Sequence, residues 1–241
     1  MATTYGVDDP LKGCLVTDGL IFYIHPSLKK CYNGGATVTD LVGGKTISMT
    51  GSSMGVTKRG NFRFNGSNDK MEVNSTLIDG DGDHFLSSSD SHYTLEAWIN
   101  TDTSSGTTTS AHCILGNNSA RGVGMQVGKR NGKPRLNFAA RGTSNFYSND
   151  LEYSNWYHIV FAHQHGSFTN VYINGSLHTT ANANRYNIRS GNQGNMFIGQ
   201  AQGRVRQYFS GFMGPIRIYN RGLSADEALQ NFNASKVRYG L

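Results

Sequence analysis

The stretch that decides the fold is "WYHIVFAHQHGSFTNVYINGSLHTT", residues 156–180. It opens with an apolar, β-branched and aromatic run, Trp156 to Ala162. A polar turn around Gly166 follows, then a second alternating run from Phe168 to Ile173. Asn174-Gly175 then separates that run from a third. An Asn-Gly pair between alternating runs is the strongest short-range signal for a two-residue β-hairpin, because both central residues must adopt positive φ. Three antiparallel strands in sequence are therefore expected here.

The same signals recur in both directions. "GVGMQVGKRNGKPRLNFAAR" (122–141) carries a second Asn-Gly pair, Asn131-Gly132, between two alternating runs. "YTLEAWIN" (93–100) puts Leu95, Ala97 and Ile99 on one face and Glu96 and Trp98 on the other. "GLIFYIH" (19–25), "NFRFNGSNDKMEV" (61–73), "NMFIGQ" (195–200) and "GFMGPIRIYN" (211–220) read as further strands. One helix is signalled, in "LSADEALQNF" (223–232): Ser224 and Glu227 form a capping box, and Ala225, Ala228, Leu229 and Phe232 make an apolar stripe. The polar run 101–112 reads as a loop. Thirty glycines against four prolines suit short strands with tight turns. The expected fold is all-β: an antiparallel two-sheet sandwich with one short C-terminal helix. Its organisation is an extended arm over 1–18, the domain over 19–232 and a basic tail over 233–241.

Bulk properties narrow the function classes. A chain of 241 residues buries a full core as a single all-β domain. Three widely spaced cysteines, Cys14, Cys31 and Cys113, argue against a disulfide framework or a zinc site. No basic segment followed by an apolar run opens the chain, and no apolar run approaches transmembrane length. The expectation is a soluble protein made in a cytoplasm, with no membrane partner. The formal charge of +6 suits an acidic partner or an ordinary basic surface. No nucleic-acid-binding pattern occurs, and the basic residues are spread through hairpins, so nucleic acid is not an expected partner.

The ordered motifs carry a resemblance. "FNGSNDKMEV", "YTLEAWI", the "WYH" strand leading to "Y-x-N-G", "MFIGQ" and "RIYNRGLSADE" stand in the order seen in the laminin-G-like branch of the concanavalin A-like lectin/glucanase superfamily. The chain thus resembles a jelly roll over residues 19–232. Trp98 and Trp156 are then expected to anchor the facing sheets. The ending "IRIYNRGLSADEALQNFNASKVRYGL" and the opening "GLIFYIHPSLKKCYNGGATVTDLVGG" are similar to laminin-G-like structural proteins of tailed bacteriophages. What that implies is a virion protein assembled in the host cytoplasm. It would be a capsid decoration protein held by its terminal arms, with the major capsid protein or other virion proteins as partners and self-association open. The alternative is a lectin-like tail or fibre component that binds surface glycans.

Glycanase relatives need two carboxylates across a cleft. The chain has four glutamates, Glu72, Glu96, Glu152 and Glu227, and no E-x-D-x-x-E run, so no catalytic residue is assigned. For glycan binding, the rim loop 199–211 offers Arg204, Arg206 and Tyr208, with Phe209 also read as a core residue, and the 93–100 strand offers Glu96 beside Trp98. His158, part of the "WYH" pattern, reads as a satisfied structural histidine on the face opposite His163 and His165. No cofactor is expected. A calcium reading stays open for "DGDGDHFLSSSD", where Asp79, Asp81, Asp83 and Asp90 imitate an EF-hand loop. His84 stands where that loop needs glycine, and the flanking segments read as strands. The family's usual calcium site needs an acid just before "RIYNR", and here Gly214 and Pro215 occupy that place.

Overall fold

The computed structural model describes residues 14–73, 92–102, 112–116, 123–140, 144–181, 196–200 and 208–241. They form two antiparallel eight-stranded sheets packed face to face. The back sheet runs in the order β14 (Ser176–Ala181), β13 (Phe168–Ile173), β12 (Trp156–Gln164), β7 (Tyr93–Thr101), β16 (Ser210–Tyr219), β5 (Phe62–Asn65), β4 (Gly55–Val56). β1 (Leu20–Ile24) also pairs with β16, along Ile216–Tyr219, while β5 takes Ser210–Met213 of the same edge. The front sheet runs β11 (Ser144–Asp150), β10 (Lys133–Ala140), β9 (Val123–Arg130), β8 (His112–Gly116), β15 (Met196–Ile198), β6 (Lys70–Val73), β3 (Thr46–Thr50), β2 (Thr37–Thr39).

Both Asn-Gly pairs make the tight turns their chemistry requires. Asn131 and Gly132 have φ of 48° and 84°, and Asn174 and Gly175 have 52° and 75°. Positive φ at two successive residues twists a turn in the sense of the strands it joins. That fixes the register of β9 with β10 and of β13 with β14.

Strand alternation fills the core between the sheets. Leu95, Ala97 and Ile99 of β7 meet Ile159 and Phe161 of β12, Ile216 and Ile218 of β16, and Met125, Leu136 and Phe138 of the front sheet. The opposite face of β7 departs from the usual sandwich pattern. All nine residues of β7 are buried, Glu96 and Trp98 included. The cover is the C-terminal segment: α1 (Ala225–Asn233) and a 3-10 helix (Lys236–Tyr239) lie across the outside of the back sheet. A second apolar cluster sits beneath them, with Val16, Leu20, Tyr23, Val160, Ala162, Tyr172, Tyr219, Leu223 and Ala228.

The capping box forms as the sequence indicates. Ser224 Oγ accepts from the Glu227 N–H, and Glu227 Oε2 accepts from the Ser224 N–H. Arg221 adds a two-pronged grip on the same carboxylate. These bonds, led by Arg221, hold the Glu227 carboxyl down at about 2. Replacing Ser224 by alanine is expected to cost about 1 kcal/mol, read as a lower urea midpoint with an unchanged slope. The helix is rotated from its expected face: Ala228 and Asn231 are buried, while Ala225 is exposed and Leu229 is 43% exposed. The reason is that Glu96 and the Tyr219 hydroxyl stand among the apolar residues beneath, and Asn231 is the residue that answers them.

Residues 14–18 and 233–241 also depart from the arm and tail expected of them. Residues 14–18 pack against the helix. The Val16 N–H donates to Asn231 Oδ1, the Tyr219 hydroxyl donates to the Val16 carbonyl, and Arg221 pairs with Asp18. Residues 233–241, expected as a tail, fold back onto the domain, with Tyr239 buried.

Candidate functional site: a cleft beside the folded-back C-terminus

The sequence-predicted site residues separate into three groups. Asp79, Asp81, Asp83 and Asp90 lie outside the described residues, as do Arg204 and Arg206. Tyr208 is half-buried and engaged. Its hydroxyl accepts from Gln200 Nε2 at 3.0 Å, and its carbonyl accepts from His112 Nδ1. Phe209 is core, edge-on to Phe64. Among the described residues no group of three or more His, Cys, Asp or Glu side chains could hold a metal ion.

Glu96 and Trp98 require a correction. They share a face, as the alternation indicates, but both are fully buried and neither reaches a glycan. Glu96 Oε1 accepts from Arg217 Nη1 and from His158 Nε2, the latter at 3.0 Å, and Oε2 accepts from Asn231 Nδ2 at 2.8 Å. Asn231 Nδ2 also donates to the Tyr219 hydroxyl. Burial alone would push the Glu96 carboxyl up; Arg217, with His158 and Asn231, outweighs it and holds the group well below the ordinary carboxylate range. The guanidinium of Arg217 lies 4.9 Å from the Tyr23 ring centroid. His158 is thus a structural histidine. His163 stands on the opposite face, with Nδ1 2.8 Å from Thr169 Oγ1. The residues that carry the sequence motifs, Glu96, His158, Arg217 and Tyr219, form one buried polar network that holds the C-terminal helix.

Trp98 likewise does not anchor one sheet to the other. It stacks under Tyr239 at 4.1 Å between ring centroids, with Phe232 beside it at 5.8 Å. Trp156 meets the same tyrosine at 4.5 Å. Both tryptophans therefore clasp the C-terminal segment from the outside of the back sheet.

That clasp creates a cleft. Trp156, Tyr239, Arg238, Gly240, Arg59 and Asn61 line a recess of about 510 Å³, a small-ligand size. Trp156 is half-buried, at the start of β12. Arg59 and Asn61 come from the turn between β4 and β5, closed by Gly60 N–H to the Thr57 carbonyl and Thr57 N–H to the Asn61 carbonyl. Gly60 has φ +68°, and a Cβ there would fall 2.5 Å from the Ser27 Cβ and 2.8 Å from Arg238 Nη2. Glycine at 60 is therefore what lets Arg238 close over the turn and donate to the carbonyls of Arg59 and Gly60. Asn61 is 8% exposed, and its Oδ1 has no hydrogen-bond partner among the described residues. Among the described residues no acidic side chain lines the recess. Among the described residues neither arginine takes part in an ion pair.

On the front sheet, Tyr147 is 43% exposed, but Arg135 already covers its ring at 4.3 Å. The cleft keeps a tryptophan, a buried amide and two arginines together in one concavity. Its residues escaped the sequence reading, which took the "SKVRYGL" end as a tail. The available signal was an aromatic residue, Tyr239, closely following a capped helix.

A family model described as the concanavalin A-like lectin/glucanases superfamily, of laminin-G type, matches residues 65–228. The chain belongs to this superfamily. No curated protein matches it in sequence. Solved structures share the fold. The Trypanosoma rangeli sialidase in complex with sialic acid aligns with a TM-score of 0.65 at 14% identity, over 93% of this chain and 34% of the sialidase. The receptor binding domain of botulinum neurotoxin C/D mosaic serotype aligns at 0.66 and 13%, over 92% of this chain and 54% of that one. Domain 4 of AbnA, an extracellular arabinanase from Geobacillus stearothermophilus in complex with arabinotriose, aligns at 0.62 and 15%, over 88% of this chain and 97% of the domain. The chain spans about a third of the sialidase and about half of the toxin domain. At these identities the likeness shows the fold: the jelly roll expected from the motif order, two antiparallel sheets with one short C-terminal helix.

Proposed function

We propose that this domain is a non-enzymatic carbohydrate-binding module and that the Trp156 cleft holds the sugar. The observation that carries this reading is the half-buried Trp156 set in a concavity with Asn61, Arg59 and Arg238. A flat aromatic packs against the apolar face of a sugar ring while polar groups take its hydroxyls. The AbnA domain and the sialidase, solved with arabinotriose and sialic acid, share the fold and lend support. Glycoside hydrolysis needs two carboxylates facing the bond. Here Glu96 is sealed beneath the helix, Glu227 caps it, and Glu152 pairs with Lys133.

Glycan-array screening followed by calorimetry tests this. Trp156→Ala is expected to weaken the best glycan at least about tenfold, or about 1.4 kcal/mol, with the circular dichroism spectrum retained. An array without hits, or a Trp156→Ala variant that binds as tightly as the parent, would overturn the proposal.

A bacteriophage virion is the setting favoured by the sequence of the C-terminal segment, as a capsid decoration protein or a tail component. With residues 233–241 folded onto their own domain, that segment is not a free arm for attachment. Mass spectrometry of purified particles decides: hundreds of copies fit a shell, a few dozen fit a tail, and absence sinks the virion reading.

A further inference from the structure

We infer that the ligand of the Trp156 cleft is an acidic oligosaccharide, whose carboxylate or sulfate group is gripped by Arg59 and Arg238; this rests on the carbohydrate-binding reading above. The two guanidinium groups come from segments far apart in sequence. Both arginines line the recess, and the Arg238 contact to the Arg59 carbonyl joins positions separated by 179 residues, so the fold, not a local run, brings the two residues to one place. Arg238 is oriented by donating Nη2 to the carbonyls of Arg59 and Gly60. A guanidinium held on one side and paired with no acid among the described residues is prepared for a planar, two-oxygen acceptor.

No acidic side chain among the described lining residues offsets this charge. Lys58 stands in the same turn as Arg59, and Lys236 opens the 3-10 helix that carries Arg238. A smaller recess, lined in part by His25, Ser27 and Asn233, meets the cleft at Arg238. His25 there is held unprotonated down to about 3, by burial first and then by the positive fields of Arg217 and Arg238. Two arginines lining one recess, with no acidic side chain among its described lining residues, favour an anion there. A neutral sugar would leave that positive field unanswered. The buried Asn61 amide adds a hydrogen-bonding group for a ring hydroxyl beside the anionic group. The recess is short, and its aromatic surface belongs to two clasped rings rather than a row. This suits one or two charged sugar units better than a nucleic-acid strand, which needs a continuing basic groove.

Calorimetry with three probes tests the inference: trigalacturonate, its fully methyl-esterified and therefore neutral form, and a sulfated heparin disaccharide. At least one of the two acidic probes is expected to bind ten times or more tighter than the neutral ester. The binding should weaken as salt rises from 50 to 300 mM. Arg59→Gln, an exposed change that leaves the fold intact, and Arg238→Gln are each expected to bring the acidic probe close to the affinity of the ester. Carboxylate and sulfate are separated by which acidic probe wins. Equal affinity for acid and ester, or a preference that survives both arginine substitutions, overturns the inference and leaves the carbohydrate reading standing if Trp156→Ala still abolishes binding. No binding of any sugar overturns both. A ten-nucleotide single-stranded DNA that outcompetes every sugar through the same arginines overturns the ligand class.

Discussion

Arg217→Met is expected to destabilise the domain by about 3–5 kcal/mol, the cost of leaving a buried charge without its partner. Methionine fills much of the volume, so the effect isolates the charge. Arg217 and Glu96 are both fully buried, and Arg217 is the cation that holds Glu96 ionised. For a domain of this size the loss corresponds to a melting temperature lower by roughly 6–20 °C. Adding Glu96→Gln to Arg217→Met should recover more than half of it, since the amide keeps a partner for Asn231 and removes the stranded charge. The pH dependence discriminates further. In the parent protein the Glu96 carboxyl is depressed in the folded state, so the unfolded chain binds more protons below about pH 4.5. That stability is complete above the unfolded value and is lost as pH falls toward the folded one. In Arg217→Met the surviving influence of burial raises the carboxyl instead, and the sign reverses: stability falls as pH rises above the unfolded value. The gap between parent and variant should therefore narrow from pH 7 to pH 4. A gap that is constant across that range would place the cost in packing rather than charge.

The same network marks the boundary of what the sequence discloses. Local chemistry was readable wherever a few adjacent residues settle the outcome. The Asn131-Gly132 and Asn174-Gly175 turns need only two positive φ angles, and the Ser224–Glu227 box needs only one helical turn. The alternation of Leu95, Ala97 and Ile99 against Glu96 and Trp98 was equally plain. What alternation does not reveal is whether the second face of a strand meets water or another layer. An acid beside a tryptophan reads as a glycan contact on an open sheet and as the floor of a helix packing on a covered one. Which holds depends on the path of a segment more than 120 residues further on: Asn231 lies 135 positions from Glu96. The rotation of the helix follows from this. Leu229 looks like the better core residue by hydrophobicity, but Asn231 is the one that satisfies Glu96, Tyr219 and the Val16 N–H, so Leu229 turns outward. The cleft was hidden for the same reason. Arg59, Asn61, Trp156 and Arg238 have no common spacing, and a basic tail composition concealed Tyr239.

Tyr239→Ala is expected to release the C-terminal clasp, at a cost of about 3–5 kcal/mol for removing a buried aromatic side chain. The ring lies between Trp98 and Trp156, which are the only tryptophans in the sequence. Intrinsic fluorescence therefore reports this contact directly, and the variant's native emission should shift to the red as both indoles gain water. Tyr239→Phe is the control. The hydroxyl is buried and makes no hydrogen bond of good geometry among the described residues, so its removal should change stability little and leave the emission in place. The opposite partner supplies an independent route to the same state. A Cβ on Gly214, in the irregular stretch between Met213 and Ile216 opposite Trp98, would fall 2.1 Å from the Tyr239 hydroxyl oxygen and 2.9 Å from Cζ. Gly214→Ala should push the ring off Trp98 and give the same red shift. Combined with Tyr239→Phe, the closest clash disappears while the 2.9 Å approach to Cζ stays, and the shift should be reduced. A Gly214→Ala variant with parent-like emission would mean that the sheet yields instead of the clasp. Since Tyr239 and Arg238 are adjacent, release of the ring also withdraws a wall and a cation from the cleft. Glycan affinity should fall in Tyr239→Ala and Gly214→Ala and persist in Tyr239→Phe, tying the cleft to the clasp that forms it.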